Sequence, residues 1–480
     1  MRSTARIVAA TAASLVLSAV LAGPAVAAEG PPVTPDTRQV MIVSNNWDGT
    51  LDYVDPTTFT KLHQVNVIPD LEERMAEIRS DPERLAFYLA IQQFVGEGND
   101  QYADDSFSSH DGRFVYVSRP SLADVVSIDV ATGQIAWRFP MEGQRSDHMG
   151  ISPDGTRLAV SDSTANKVHV LDPLTGQKIA EFASGDAPHE SNFTEDGTRL
   201  FHASIGLVYT PLDNTDLDTT KGERYLQVVN TSDWTFDRRD LAENLAARQG
   251  DGPGVDPYPD SSSIRPMAVS PDAQTLYLQL SFFHGYVVYD VASDAITQVV
   301  NLPNLVPDVP REQYLLDSAH HGLAINPAGT RLCAAGTMSN YAALVPVGDP
   351  ASPQLVEGID KPYWSTNSPD GRHCWLSASG ADEVVVIDYA TAQEVTRFPV
   401  GDHPQRMRIG LIQRSVVEQQ GAPAPAAPPA GATTPAPAAA PSSAGRSLPA
   451  TGAPLALPAA ALLMAGAGAA VRHRRRRAAA

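Results

Sequence analysis

From Asp147 to Gly185 the chain alternates short apolar runs with polar turns: HMGIS, SPDG, RLAVSD, KVHVLD, DPLTGQ and KIAEFAS follow one another. Period-two alternation over five or six residues predicts strands, so this stretch reads as four antiparallel strands. In SPDG, Pro153 presets φ at the first central turn position, Asp154 suits the second, and Gly155 admits the left-handed conformation that returns the chain. Four strands in about forty residues cannot bury both of their faces and must stack on copies of themselves.

Those copies are present. The turn recurs as SHDGRF from Ser109, TEDGTRL from Thr194, SPDAQTL from Ser270, NPAGTRL from Asn326 and SPDGRHC from Ser368. The basic spacing is about 42 residues with two longer gaps, which fits a propeller blade and no helical repeat. After Gln39 come VMIVSNN, TLDYVDP and KLHQVNV, second to fourth strands without a first; the missing strand follows the last blade as HPQRMRIGLI from His403. The prediction is an all-β, seven-bladed β-propeller over residues 38–413, closed by pairing of the N- and C-terminal strands.

The repeat resembles the YVTN-type (SPDG-repeat) propeller family, whose blades carry PxGxAxSPDGxxxYV, VxVIDxxTG and VxxIxVG. The likeness is clearest at Asp147 to Gly185 and Lys361 to Gly401. It implies a fold more than an activity, since such propellers include binding modules and some enzymes.

Four insertions interrupt the blades: Pro69 to Asn99, Ile205 to Glu223, Arg238 to Ser263 and Asn301 to Ala319. All lie in connections from second to third strand, or from fourth strand to the next blade, and so fall on the face opposite the SPDG turns. The first, between blades 1 and 2, reads as helical, with Ser80 and Glu83 as a capping box before Leu85, Tyr88, Leu89 and Val95. Loops on a rigid scaffold make this face the expected ligand face.

The ends are of another kind. Arg2 and Arg6 precede IVAATAASLVLSAVLAG and a small-residue AVAA, the order of a secretory signal peptide over residues 1–28. Residues 421–447 are a Pro/Ala-rich linker, and 448–480 read LPATG motif, apolar stretch, arginine tail. Leu448, Pro449, Ala450, Thr451 and Gly452 match the LPxTG pentapeptide, so this end resembles the sorting signal of Gram-positive surface proteins. The resemblance implies that a sortase cleaves Thr451–Gly452 and joins Thr451 to cell-wall peptide. The chain would thus be secreted and covalently attached to the wall of a Gram-positive bacterium, its membrane contact only transient before sorting.

The formal charge of −20 becomes more negative once both arginine-bearing ends are set aside. A surface so acidic argues against nucleic acid as a partner. No CxxCH, GxSxG or phosphate-binding glycine loop occurs.

Candidate chemistry lies where each innermost strand begins. Around the ring these positions are Asp104, Asp147, His189, Arg265, His321, Tyr363 and Gln405, with Asp105, His148, Glu190, His320, Trp364 and His403 beside them. Converging imidazoles and carboxylates suit a divalent metal such as zinc or copper, or an acid–base pair acting on a small ligand; polar, watered channels also occur in propellers without catalysis. His148 is offset by one place from His189 and His321 and is expected to point elsewhere. Cys333 and Cys374 stand on second strands of adjacent blades: if they face one another they form a disulfide between blades 6 and 7, and otherwise they are two buried thiols. Two functions follow. One is a binding or adhesion module for an extracellular protein, peptide or glycan; the other is a metal-dependent or hydrolytic, lactonase-like enzyme using the ionisable ring.

Overall fold

In the strand Leu158–Asp162, Leu158 and Val160 enter an apolar core shared with the preceding blade, whereas Ala159 joins the core shared with the next. Both faces of each sheet are therefore buried, and every neighbouring pair of blades shares such a core. Burying one Leu or Val fully is worth roughly 1.5–3 kcal/mol, so the sandwiching of sheets supplies the main stabilising term. This computed structural model describes residues 30–207, 221–248, 261–314 and 318–421. The segments expected to be a signal peptide, a linker and a sorting signal, and parts of three insertions, lie outside them.

The chain forms a seven-bladed β-propeller, each blade a four-stranded antiparallel sheet. Its innermost strands are Pro404–Gln413 in blade 1, Asp105–Ser108 in blade 2, Ser146–Ile151 in blade 3 and Pro188–Phe193 in blade 4. Ile264–Val269, Leu323–Ile325 and Pro362–Asn367 serve blades 5, 6 and 7. Blade 1 joins the two ends of the propeller: Pro404–Gln413 pairs antiparallel with Thr37–Asn45, Val40 opposite Gly410 and Met41 opposite Ile409. Cys333 and Cys374 form a disulfide in the core between blades 6 and 7.

The turn end of each blade repeats one local solution. Gly112, Gly155, Gly197, Gly329 and Gly371 take φ of +64 to +70°, where a side chain is strained. A Ser or Thr hydroxyl donates to the Asp two places on, at 2.5–2.6 Å in five blades. The same oxygen accepts the backbone N–H five residues on. In NPAGTRL the Asn326 side-chain oxygen takes over, accepting from the N–H groups of Thr330 and Arg331 at 2.8 and 2.9 Å.

Two helices, α1 (Leu71–Ser80) and α2 (Pro82–Phe94), stand between blades 1 and 2. The capping box expected at Ser80 and Glu83 is replaced. Ser80 closes α1 by donating to the Glu77 carbonyl, and Asp81 caps α2, accepting from the N–H groups of Glu83 and Arg84. Asp81 satisfies the free N–H groups directly, and Pro82 at the first position needs no such bond. Leu89 is half exposed; Phe87, Tyr88, Ala90 and Ile91 form the buried face instead. In the third insertion, the helix Leu241–Arg248 packs outward against blade 5, with Leu241 and Leu245 in the core between blades 4 and 5.

Candidate functional site

The other end of the inner strands is irregular. Where the first strand of a blade pairs with the second, register slips between Ser146 and Met149, Pro188 and Ser191, Ile264 and Met267, and Pro362 and Trp364. In blade 1 it slips opposite Val43 and Asn45, between Pro404 and Met407. Each slip is a β-bulge, and bulges re-aim side chains. The residues thrown out of the ladder are Asp147 with His148, His189 with Glu190, Arg265 with Pro266, Tyr363, and Gln405 with Arg406. Ala187, Lys361 and His403, at φ of +51, +45 and +53°, each precede the proline that opens its strand. Strained backbone of this kind gathers at functional sites.

The bulges correct the reading of His148. Two consecutive residues leave the ladder, so His148 reaches the channel as well as Asp147. Its ring lies 3.8 Å from that of His189, centroid to centroid. His189 in turn meets His321 edge to face at 6.1 Å, and His321 stacks on Tyr363 at 4.0 Å. His148, His189, Glu190, His321 and Tyr363 are all buried. Burial, with neighbouring guanidiniums of Arg406 or Arg265, holds His148, His189 and His321 well below the ordinary imidazole range.

His320 leaves the ring. Its Nε2 bonds the Tyr341 hydroxyl at 2.9 Å and its ring faces His284, in a separate aromatic group. His403 stacks flat on Trp47 at 3.8 Å. Gln405 is buried, and its Oε1 has no hydrogen-bond partner among the described residues. Arg265 donates from Nε to Ser281 at 2.8 Å.

The acids are set by arginines that sequence reasoning missed. Arg406 Nη1 donates to Asp104 Oδ1 at 2.7 Å, and Arg408 grips Asp105 with both arms at 2.9 and 2.8 Å. Arg145 bonds Asp147 Oδ2, which also accepts from the Ser163 hydroxyl at 2.7 Å. Both Arg406 and Arg408 lie over the Trp364 ring, at 5.0 and 4.9 Å. Burial pushes the Asp104 carboxyl up to about 6 even against Arg406. Burial likewise pushes Glu190 up to about 7; Glu190 bonds His148 Nδ1 at 2.6 Å and accepts from Asn192 at 3.0 Å. The visible signal for Arg406 and Arg408 was their place in QRMR, one and three residues after Gln405.

From the turn face a cavity of about 260 Å³ runs inward to Glu190, Trp364 and Arg408, between Asn192 and Asn367. Glu190 is shared between that cavity and the histidine cluster, where it bonds His148.

The sequence matches no protein-family model and no curated protein. Among solved structures it is similar to hydrazine synthase of Kuenenia stuttgartiensis, at 16% identity and a TM-score of 0.46, over 65% of this chain and 96% of that one.

Proposed function

We propose that this chain is an exported propeller, joined through Thr451 to the wall of a Gram-positive bacterium, that binds an extracellular protein, peptide or glycan at its channel mouth. The observation that carries the reading is the set of bulges, which brings ionisable side chains of several blades to one level. Buried ion pairs contribute little net stability, and perturbed groups in a cleft mark functional sites. The linker would span on the order of 80 Å in extended polyproline geometry, enough to hold a propeller clear of the membrane.

Arrays of matrix proteins, peptides and glycans, probed with the purified chain and with a His189→Ala/His321→Ala variant, test it. A ligand held by the parent and lost by the variant supports the reading; equal binding by both moves the binding surface off the mouth. Wall fractions of cells making a Leu448→Ala variant test the anchor, which predicts release of the protein from the wall.

A second reading, a metal-dependent or hydrolytic enzyme, draws on the contact between Glu190 and His148. It predicts turnover of lactone or ester substrates that a chelator abolishes, whereas a binding module keeps its affinity in chelator.

A further inference from the structure

We infer that Asp147, His148 and His189 form a binding site for one divalent transition metal ion of the zinc class. The inference is independent of wall anchoring and of any macromolecular ligand. One ligand atom from each of the three residues lies within 4.8 Å of the other two, and all three residues are buried. Two imidazole nitrogens and one carboxylate oxygen are a donor set that zinc accepts, commonly with a further position left open.

The surroundings select the atoms. Asp147 Oδ2 is engaged by Arg145 and Ser163, while Oδ1 accepts the backbone N–H of His148 at 3.0 Å, keeps a second lone pair, and lies 3.5 Å from His148 Nε2. Glu190 Oε2 sits 2.6 Å from His148 Nδ1. With the Nδ1 proton donated to that carboxylate, Nε2 keeps its lone pair toward Asp147; metal-bound histidines are oriented by carboxylates in this way. In the same cluster, His189 Nδ1 is buried with no hydrogen-bond partner among the described residues. A buried ring nitrogen without a partner costs free energy that a bound cation would recover.

In a second group, two exposed glutamates, Glu142 and Glu181, stand as close to the buried His169. There Lys167 and Lys178 each bond both glutamates, at 2.6–3.1 Å, so all four carboxylate oxygens are held by ammonium groups, whereas Arg145 holds Asp147 through Oδ2. It serves as the control.

The test uses the chain purified without a histidine tag, stripped with chelator and titrated with Zn²⁺ alone, against a competing indicator. One equivalent binds, and Asp147→Asn or His189→Ala weakens binding at least about 100-fold. Glu190→Gln weakens it about 10- to 100-fold while keeping the stoichiometry, since it orients a ligand without being one. The Glu142→Gln/Glu181→Gln variant binds as the parent does. Failure to take up one equivalent, or unchanged uptake by both Asp147→Asn and His189→Ala, overturns the site. Cobalt(II) substitution keeps the question decidable should a variant not fold: the parent must show visible bands distinct from those of the aquo ion, and a spectrum of free cobalt alone refutes the assignment. Zinc binding without any extracellular ligand leaves this site standing and removes the adhesion reading.

Discussion

The two ends of the inner strands obey different rules. At the turn end, Ser152 with Asp154 and Ser368 with Asp370 make the same bonds at the same 2.5 Å, and Gly155 and Gly371 take nearly the same φ. At the bulged end, blade 3 offers Asp147 and His148, blade 5 Arg265, and blade 7 Tyr363, and each finds partners in another blade or strand. A repeated end answers a problem internal to the blade, namely reversing the chain. The bulged end answers a problem that exists only once the ring is assembled.

Breaking the bulged end should have the largest effect. Arg406→Met leaves the buried Asp104 carboxylate without its guanidinium, and denaturant unfolding at pH 7 should show a loss of about 3–5 kcal/mol. A loss below about 1 kcal/mol would mean that ion pairs do not organise this end. At the turn end, Gly155→Ala puts a side chain at positive φ and brings a Cβ within 2.8 Å of the His110 ring; the expected cost is about 1–2 kcal/mol. The smallest change is Ser368→Ala, which removes one local acceptor and donor for about 1 kcal/mol, with the strain confined to blade 7.

A pH series sharpens the contrast. The folded state holds a proton on Asp104 up to about pH 6, whereas the unfolded chain releases it near its ordinary value of 3.8. Between these values the native state binds more protons, so this group's contribution falls as pH rises and is level above about 6. Buried His202, lowered to about 3 by burial, acts oppositely: stability is lost as pH falls below about 6.5. Asp104→Asn removes only the first slope, so its stability relative to the parent should rise from pH 4 to 6; parallel curves would show an Asp104 ionised throughout.

Much of the fold was legible because its signals are local. Pro153, Asp154 and Gly155 specify their turn without reference to any other blade, and the spacing of the copies then sets the number of blades. The site was legible only by position. Which residues stand at the start of each inner strand could be counted, but a bulge is a property of two paired strands, and nothing in DHMG or PHES states that two residues leave the ladder. Hence His148 looked misplaced and joined the cluster, while His320, adjacent to His321, turned away to Tyr341. Arg406 and Arg408 were hidden because their partners, Asp104 and Asp105, lie about 300 residues earlier. The helix start was missed by one residue, as Asp81 and Ser80 are both good caps and only the chain path past Pro82 decides between them.

The pairing of Thr37–Asn45 with Pro404–Gln413 also sets an order of events. Synthesis proceeds from the N terminus at about 5–20 residues per second, so the three strands of blade 1 that are made first wait on the order of tens of seconds for the fourth. Until then Val40 and Ile42, buried in the finished ring, belong to a sheet with an open inner edge. The last strand is therefore a timed clasp, and a chain cut short before His403 keeps six blades and a gap into which a strand of another molecule can pair.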